Sequence, residues 1–246
     1  MLDLTKMSLT ALRELYELEH GLQQVQQADM LGRILEQDTL IMGRHGRGKS
    51  LSATGISYNI RELHERPVVV IGSKMGLKAD LFGPYQHLNE MAFKAELEKL
   101  NVAESEEENA EQVLNTFKEQ EIAIEYAVVV FDEARKLMNS RTPKDKLVNL
   151  VGDFVMQARH YHCTLLILAP AEDEIDKRVV RQMDWKGRCF LNPYTNICRV
   201  RLVQGLEVLN IPIDCNPTPE HVSYFDMYDS WTRLGYRKSS LVIKNL

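Results

Sequence analysis

The chain has 246 residues and a formal net charge of −5, long enough to bury a substantial core as one large α/β domain or two small ones. No run approaches the eighteen or so apolar residues that a membrane span needs, and the start, Met1-Leu2-Asp3-Leu4-Thr5-Lys6, is not a signal peptide. The four cysteines, Cys163, Cys189, Cys198 and Cys215, have neither C-x-x-C nor metal-ligand spacing, which reads as reduced, buried thiols of a cytosolic protein.

Residues 1–37 read as a helical extension, with Leu12, Leu15, Tyr16 and Leu18 as a partial apolar stripe. This segment packs either on the core or on a neighbouring subunit. No Pro/Gly/Ser-rich linker divides the remainder, so residues 38–246 are expected to form one domain, with an irregular tail from about 210.

Residues 39–51, TLIMGRHGRGKSL, contain Gly43, four intervening residues and then Gly48-Lys49-Ser50. This is the G-x-x-x-x-G-K-[ST] phosphate loop. Leu40, Ile41 and Met42 suit a buried strand before it, and residues 50–63 continue as a helix. Gly43, Gly46 and Gly48 let the backbone curl so that its N–H groups point inward at a phosphate, at the positive end of that helix. The expected nucleotide contacts are Gly43, Arg44, His45, Gly46, Arg47, Gly48, Lys49, Ser50 and Leu51, with Lys49 on the β- and γ-phosphates and the Ser50 hydroxyl on Mg²⁺.

Further along, residues 67–73 (PVVVIGS) form a β-branched run without alternation, as in a strand buried on both faces of a parallel sheet. Residues 73–85 have loop character, and two helices are expected over 86–100 and 107–120. Between residues 94 and 125 ten Glu face three Lys, a local balance of −7 that leaves +2 for the rest. Such a patch is usually a solvated face and does not exclude a polyanionic partner elsewhere.

Residues 126–135, YAVVVFDEAR, place Asp132-Glu133 at the end of an apolar strand. This looks like a Walker B motif, in which Asp132 binds Mg²⁺ and Glu133 polarises the attacking water. Residues 145–160 then carry Leu147, Leu150, Val151, Phe154, Val155 and Ala158 at helical spacing. A buried strand follows at 164–168, a helix at 173–183, and strands at 188–191 and 197–202. The element order gives a mostly parallel sheet flanked by helices. A strand inserted between the phosphate-loop and Walker B strands, with Glu133 after Asp132, indicates the additional-strand catalytic-glutamate (ASCE, RecA-like) class of P-loop ATPases.

With these residues the chain resembles the FtsK/HerA group of DNA-pumping ATPases, in particular small viral genome-packaging ATPases and the zonular-occludens-toxin-like ATPases of filamentous phages. The matching stretches are GRHGRGKS at 43–50, VVVFDEA at 128–134, QARHYHCTLLILAP at 157–170 and EIDKRVVRQMD at 174–184. The resemblance implies ATP and Mg²⁺ as ligands, a homo-oligomeric hexamer or pentamer ring, and double-stranded DNA in its channel. It also implies capsid or membrane-associated virion proteins as further partners, and a location in the host cytoplasm or with the virion. Arg159, from the Arg-His pair, becomes the first candidate for an arginine finger supplied in trans, with Arg141 and Arg181 next. The sensor position, usually Gln in such proteins, falls on Pro170, which has no side-chain donor; Glu172 is the nearest replacement. Lys74, Lys78, Lys144 and Lys146 are candidate contacts to a phosphate backbone. The implied activity is ATP-driven DNA translocation in genome packaging. A virion assembly or export ATPase is one alternative, although such phage proteins usually carry a membrane span after the ATPase domain. A nucleotide switch without translocation is the other. No N-K-x-D guanine-reading motif is visible.

Overall fold

The computed structural model describes residues 28–72, 77–78, 82–142, 144–192, 194–215 and 223–227. Eight strands, β1 (Asp38–Met42), β2 (Val68–Ile71), β3 (Gln86–Leu88), β4 (Val128–Phe131), β5 (Thr164–Ala169), β6 (Trp185–Asn192), β7 (Ile197–Gln204) and β8 (Glu207–Asp214), form one sheet in the spatial order β3-β2-β4-β5-β1-β6-β7-β8. The helices are α1 (Lys49–His64), α2 (Glu90–Leu97), α3 (Glu106–Glu119), α4 (Lys146–Gln157), α5 (Lys177–Gln182) and the short α6 (Tyr224–Met227). β1 to β6 pair in parallel, whereas β7 and β8 are antiparallel additions.

The runs Val68–Ile71 and Val128–Phe131 are buried at every position, because helices cover both faces of the parallel part. On one face, Ile41, Val70, Val130 and Leu168 pack with Ile56 and Ile60 of α1. On the other, Leu40, Val69, Val129 and Ile167 pack with Phe93, Phe117 and Phe154. The Phe117 ring centroid lies 5.1 Å from that of Phe93 and 5.4 Å from that of Phe154, so one aromatic cluster ties α2, α3 and α4 together. β7 and β8 alternate buried with exposed positions, as strands with one covered face do.

Several expectations need correction. The strand that separates β1 from β4 in the sheet is β5, while the 67–73 run forms β2 on the far side of β4. Residues 86–88 are not helical: they pair with β2 as β3, and Asn89, whose side chain accepts from the Met91 and Ala92 N–H groups, starts the helix after them. The helix expected over 173–183 is split. Residues 172–174 make a 3₁₀ turn, and Asp176 caps a shorter α5 by accepting from the Arg178 N–H. The tail expected to be irregular from about 210 is strand through Asp214, paired to β7 by a tight turn at Gly205 and Leu206. Residues 28–32 are helical; most of the expected N-terminal extension, residues 1–27, lies outside the described residues. Among the described residues no helix is long and apolar enough to cross a membrane.

The β6–β7 pairing tests this packing at Gly187. A Cβ there would lie 2.1 Å from the Arg201 carbonyl oxygen, and backbone cannot yield as a side chain can. Gly187→Val is expected to cost about 3 kcal/mol and to lower the melting temperature by roughly 6–12 °C. An unchanged melting temperature by calorimetry would contradict the register.

Candidate nucleotide site

The C-terminal ends of β1 and β4 converge on either side of β5. The Gly43 N–H donates to the Ala169 carbonyl at 3.2 Å, and the Asp132 N–H donates to the Ile71 carbonyl at 2.9 Å. Residues 43–48 leave this edge as a loop with Gly46 at φ +74° and Gly48 at φ +92°, a left-handed backbone that favours glycine. The loop ends by starting α1. Helices α2, α3, α4 and α5 each begin with a side-chain acceptor, from Asn89, Ser105, Asp145 and Asp176. Gly48 gives α1 no such cap, so its first-turn N–H groups present the positive end of a sixteen-residue helix at the sheet edge.

Lys49 lies across this loop, its ammonium donating to the Gly43 carbonyl at 2.6 Å. Burial pushes its pKa down, while the nearby carboxylates of Asp132, Glu133 and Glu174 push back. Ser50 Oγ donates to Asp132 Oδ1 at 3.2 Å, and Asp132 is buried. A hydroxyl and a carboxylate held side by side at a helix N-terminus form a donor set that fits Mg²⁺ shared with phosphate oxygens. Glu133, next in sequence, has φ +55°, an unusual conformation for a residue with a Cβ and one that gathers at functional sites. Lys136 Nζ lies 3.3 Å from Glu133 Oε2 and 2.6 Å from Glu90 Oε2. Burial alone would lower the Lys136 pKa, but hydrogen bonds and charge from these two carboxylates raise it, so the lysine stays charged.

Of the other expected contacts, Arg44, His45, Gly46 and Arg47 are exposed and Leu51 is buried under the loop. The Arg47 guanidinium lies 5.8 Å from the Phe190 ring centroid. Sequence reading missed the floor of the loop. A Cβ on Gly43 would meet Cys189 Sγ at 2.9 Å, and one on Gly48 would meet Cys198 Sγ at 2.8 Å. Two of the four buried thiols therefore support the phosphate loop, and the only sequence hint was their place in alternating strands beyond the recognised motifs.

Arg159 lies elsewhere. It sits in the 3₁₀ turn before β5, at the edge of the sheet opposite Lys49, and is ion-paired with Asp184. The six residues of β5 put roughly 20 Å between the two edges, so Arg159 does not meet the phosphate loop of its own chain. Arg181, on α5, is exposed, as is Arg141, in the loop before α4. Pro170 follows β5, and Glu172 is ion-paired with Lys186 at 3.2 Å. The Lys78 N–H donates to the Met227 carbonyl, Lys144 is exposed, and Lys146 Nζ donates to the Glu98 carbonyl. Lys74 lies outside the described residues.

At the Arg159 edge, the buried Asp38 carboxyl is pushed up to about 7 from 3.8 by burial and then by the Asp184 charge, against Arg159. Because the folded form keeps a proton that the unfolded form loses, stability should fall as pH rises through roughly 4 to 7. Asp38→Asn removes this dependence: its melting temperature should decline less than the wild type's between pH 5 and 7.5. Parallel pH profiles would contradict the burial of an ionisable Asp38.

The sequence model described as zonular occludens toxin (Zot) matches residues 39–192. The fold is similar to that in the crystal structure of the N-terminal domain of zonular occludens toxin from Neisseria meningitidis, at 15% identity and a TM-score of 0.50, covering 79% of this chain and 100% of that one. Lower similarity extends to the pCW3 conjugation coupling protein TcpA with ATPγS, at 16% identity, TM-score 0.45 and coverage of 79% and 64%. It extends also to the genome packaging NTPase B204 of Sulfolobus turreted icosahedral virus 2 with ATPγS, at 10% identity, TM-score 0.45 and coverage of 71% and 96%. None of the curated proteins matches the chain in sequence.

Proposed function

The chain belongs to the zonular occludens toxin family, and from its site we propose that it is an ATP-hydrolysing motor that translocates double-stranded DNA, with viral genome packaging as the work done. The observation that carries this reading is the uncapped start of α1 beside the paired Ser50 and Asp132, with Glu133 adjoining. In this account the N–H groups of residues 43–50 wrap the phosphates and Lys49 neutralises the β- and γ-oxygens. Ser50 and Asp132 would hold Mg²⁺, which when bound offsets charge on the phosphates. Glu133 accepts a hydrogen bond from the attacking water and aligns it with the γ-phosphorus for in-line displacement. Arg159, on the edge remote from its own Lys49, acts on a neighbour's γ-phosphate; Arg181 and Arg141 are its alternatives. The ring that this requires is a homo-oligomer, a hexamer or pentamer.

The family match favours a second reading, in which hydrolysis drives virion assembly or export. Stimulation by DNA separates the two. Steady-state ATP hydrolysis should rise several-fold with double-stranded DNA at low salt and lose that stimulation at moderate salt. A DNA-independent rate would support export instead. Lys49→Ala should abolish turnover, and turnover at the wild-type rate would sink the site assignment.

Arg159→Ala should lower the rate about 10²-fold or more. Mixed with inactive Lys49→Ala, it should regain part of that activity, because a mixed interface joins an intact loop to an intact finger. No recovery, in a mixture shown to co-assemble, would remove Arg159 from a trans role.

A further inference from the structure

The Glu133 carboxylate is held by more than its own turn. The Lys136 N–H donates to the Glu133 carbonyl at 3.0 Å, closing the 3₁₀ turn after β4, and this brings the Lys136 ammonium to 3.3 Å from Glu133 Oε2. The same ammonium donates to Glu90 Oε2 at 2.6 Å. The Glu90 side chain is only 6% exposed and that of Lys136 36%, so the contact between them is shielded from water on the Glu90 side.

Glu90 reaches this point from the edge of the sheet. β3 pairs with β2 and β2 with β4, all in parallel, so the residues that follow β3 and β4 leave the sheet on the same side. Glu90 opens α2, where the positive helix end stabilises a buried carboxylate, and one turn on Phe93 anchors that helix in the aromatic cluster. The end of β2 fills the space between. The Gly72 N–H donates to the Leu88 carbonyl at 3.2 Å, and a Cβ on Gly72 would meet that of Asp132 at 2.9 Å.

Lys136 has one alternative place. It also lines a cavity of about 410 Å³ with Lys94, Arg135 and Arg141. Of the two acids there, Glu174 pairs with Arg135 at 3.2 Å and Asp145 accepts from the Leu147 N–H at the start of α4. The positive charge left over repels a further ammonium, which keeps Lys136 on the carboxylates.

We propose that Lys136 is a positioning residue for hydrolysis, holding Glu133 in one orientation through Oε2, and that Glu90 sets the strength of that hold. A lysine paired with Glu133 alone would cancel the charge that makes the carboxylate a good acceptor. Shared between two carboxylates, it leaves one negative charge on the group of three. Glu133 thus enters the reaction already oriented, with fewer side-chain rotamers to lose. The proposal deepens the hydrolytic reading above and rests on it. It also connects the edge strand β3 and α2 to the rate of hydrolysis.

Variants of the full chain separate positioning from structure. Lys136→Met keeps most of the side chain's length without its charge. Its kcat for ATP should fall about 10- to 100-fold with KM and melting temperature near wild type, and Lys136→Arg should recover most of the loss. Glu90→Gln should lower kcat in the same way, and adding it to Lys136→Met should slow that variant no further, because both act on one carboxylate. In a Glu133→Gln background Lys136→Met should likewise cause no further loss, since the charge it orients is gone. Wild-type kcat in Lys136→Met would overturn the proposal, as would the same fold-loss repeated in the Glu133→Gln background, or a folded Lys136→Arg as slow as Lys136→Met. If Lys136→Met does not fold, Glu90→Gln decides, and an unchanged kcat there would overturn the proposal. Glu133→Gln that hydrolyses at the wild-type rate would refute the water-orienting reading and the positioning with it. An inactive Glu133→Gln beside a fully active Lys136→Met would refute the positioning alone.

Discussion

A hydrogen bond of 3.2 Å between Ser50 and Asp132 joins the start of α1, into which the loop after β1 leads, to the residue that follows β4, although β1 and β4 are not neighbours in the sheet. β5 lies between β1 and β4, so the loops leaving the outer two strands must reach over it to meet. The Gly43 bond to Ala169 fixes the phosphate loop on β5, and the Asp132 bond to Ile71 fixes the other partner on β2. The hydroxyl and carboxylate are thus positioned by four parallel strands at once. This is the arrangement that the ASCE class of P-loop folds provides, and Glu133 follows from it as the next residue along the same turn.

The second organising feature is the difference between the two halves of the sheet. The parallel half is buried on both faces and can supply only its edges to solvent. The antiparallel half keeps one face open, and Arg188, Arg199 and Arg201 are exposed there. Its buried face has a separate task. Cys189 and Cys198, with thiols held protonated by burial, fill the space under Gly43 and Gly48, so the phosphate loop rests on β6 and β7 as well as on α1.

Much of this was legible in the sequence because it rests on local patterns. The glycine spacing and Lys49-Ser50, the apolar run before Asp132-Glu133, and the helical spacing of residues 147–158 each encode their element over a short stretch. The errors came where pairing partners far along the chain decide. Residues 86–88 follow no alternation and become a strand only because β2 offers an open edge. Residues 207–214 include Pro and Asp, which suggests irregular structure, yet β7 supplies a complete antiparallel register; Pro212 is exposed on this outer strand, where a missing N–H costs little. The spatial place of β5 was likewise invisible, since chain order does not give sheet order. At the site, residue types indicated Lys49, Ser50, Asp132 and Glu133, but not that Lys136 holds Glu133 or that Arg159 lies on the remote edge.

The account depends on Glu133 acting on water while the surrounding residues hold the nucleotide. The most direct measurement is ATP binding by calorimetry beside steady-state hydrolysis for Glu133→Gln, which keeps the size of the side chain and removes its charge. The account predicts near wild-type affinity with hydrolysis reduced by about two to four orders of magnitude. Hydrolysis within a few-fold of wild type would contradict it.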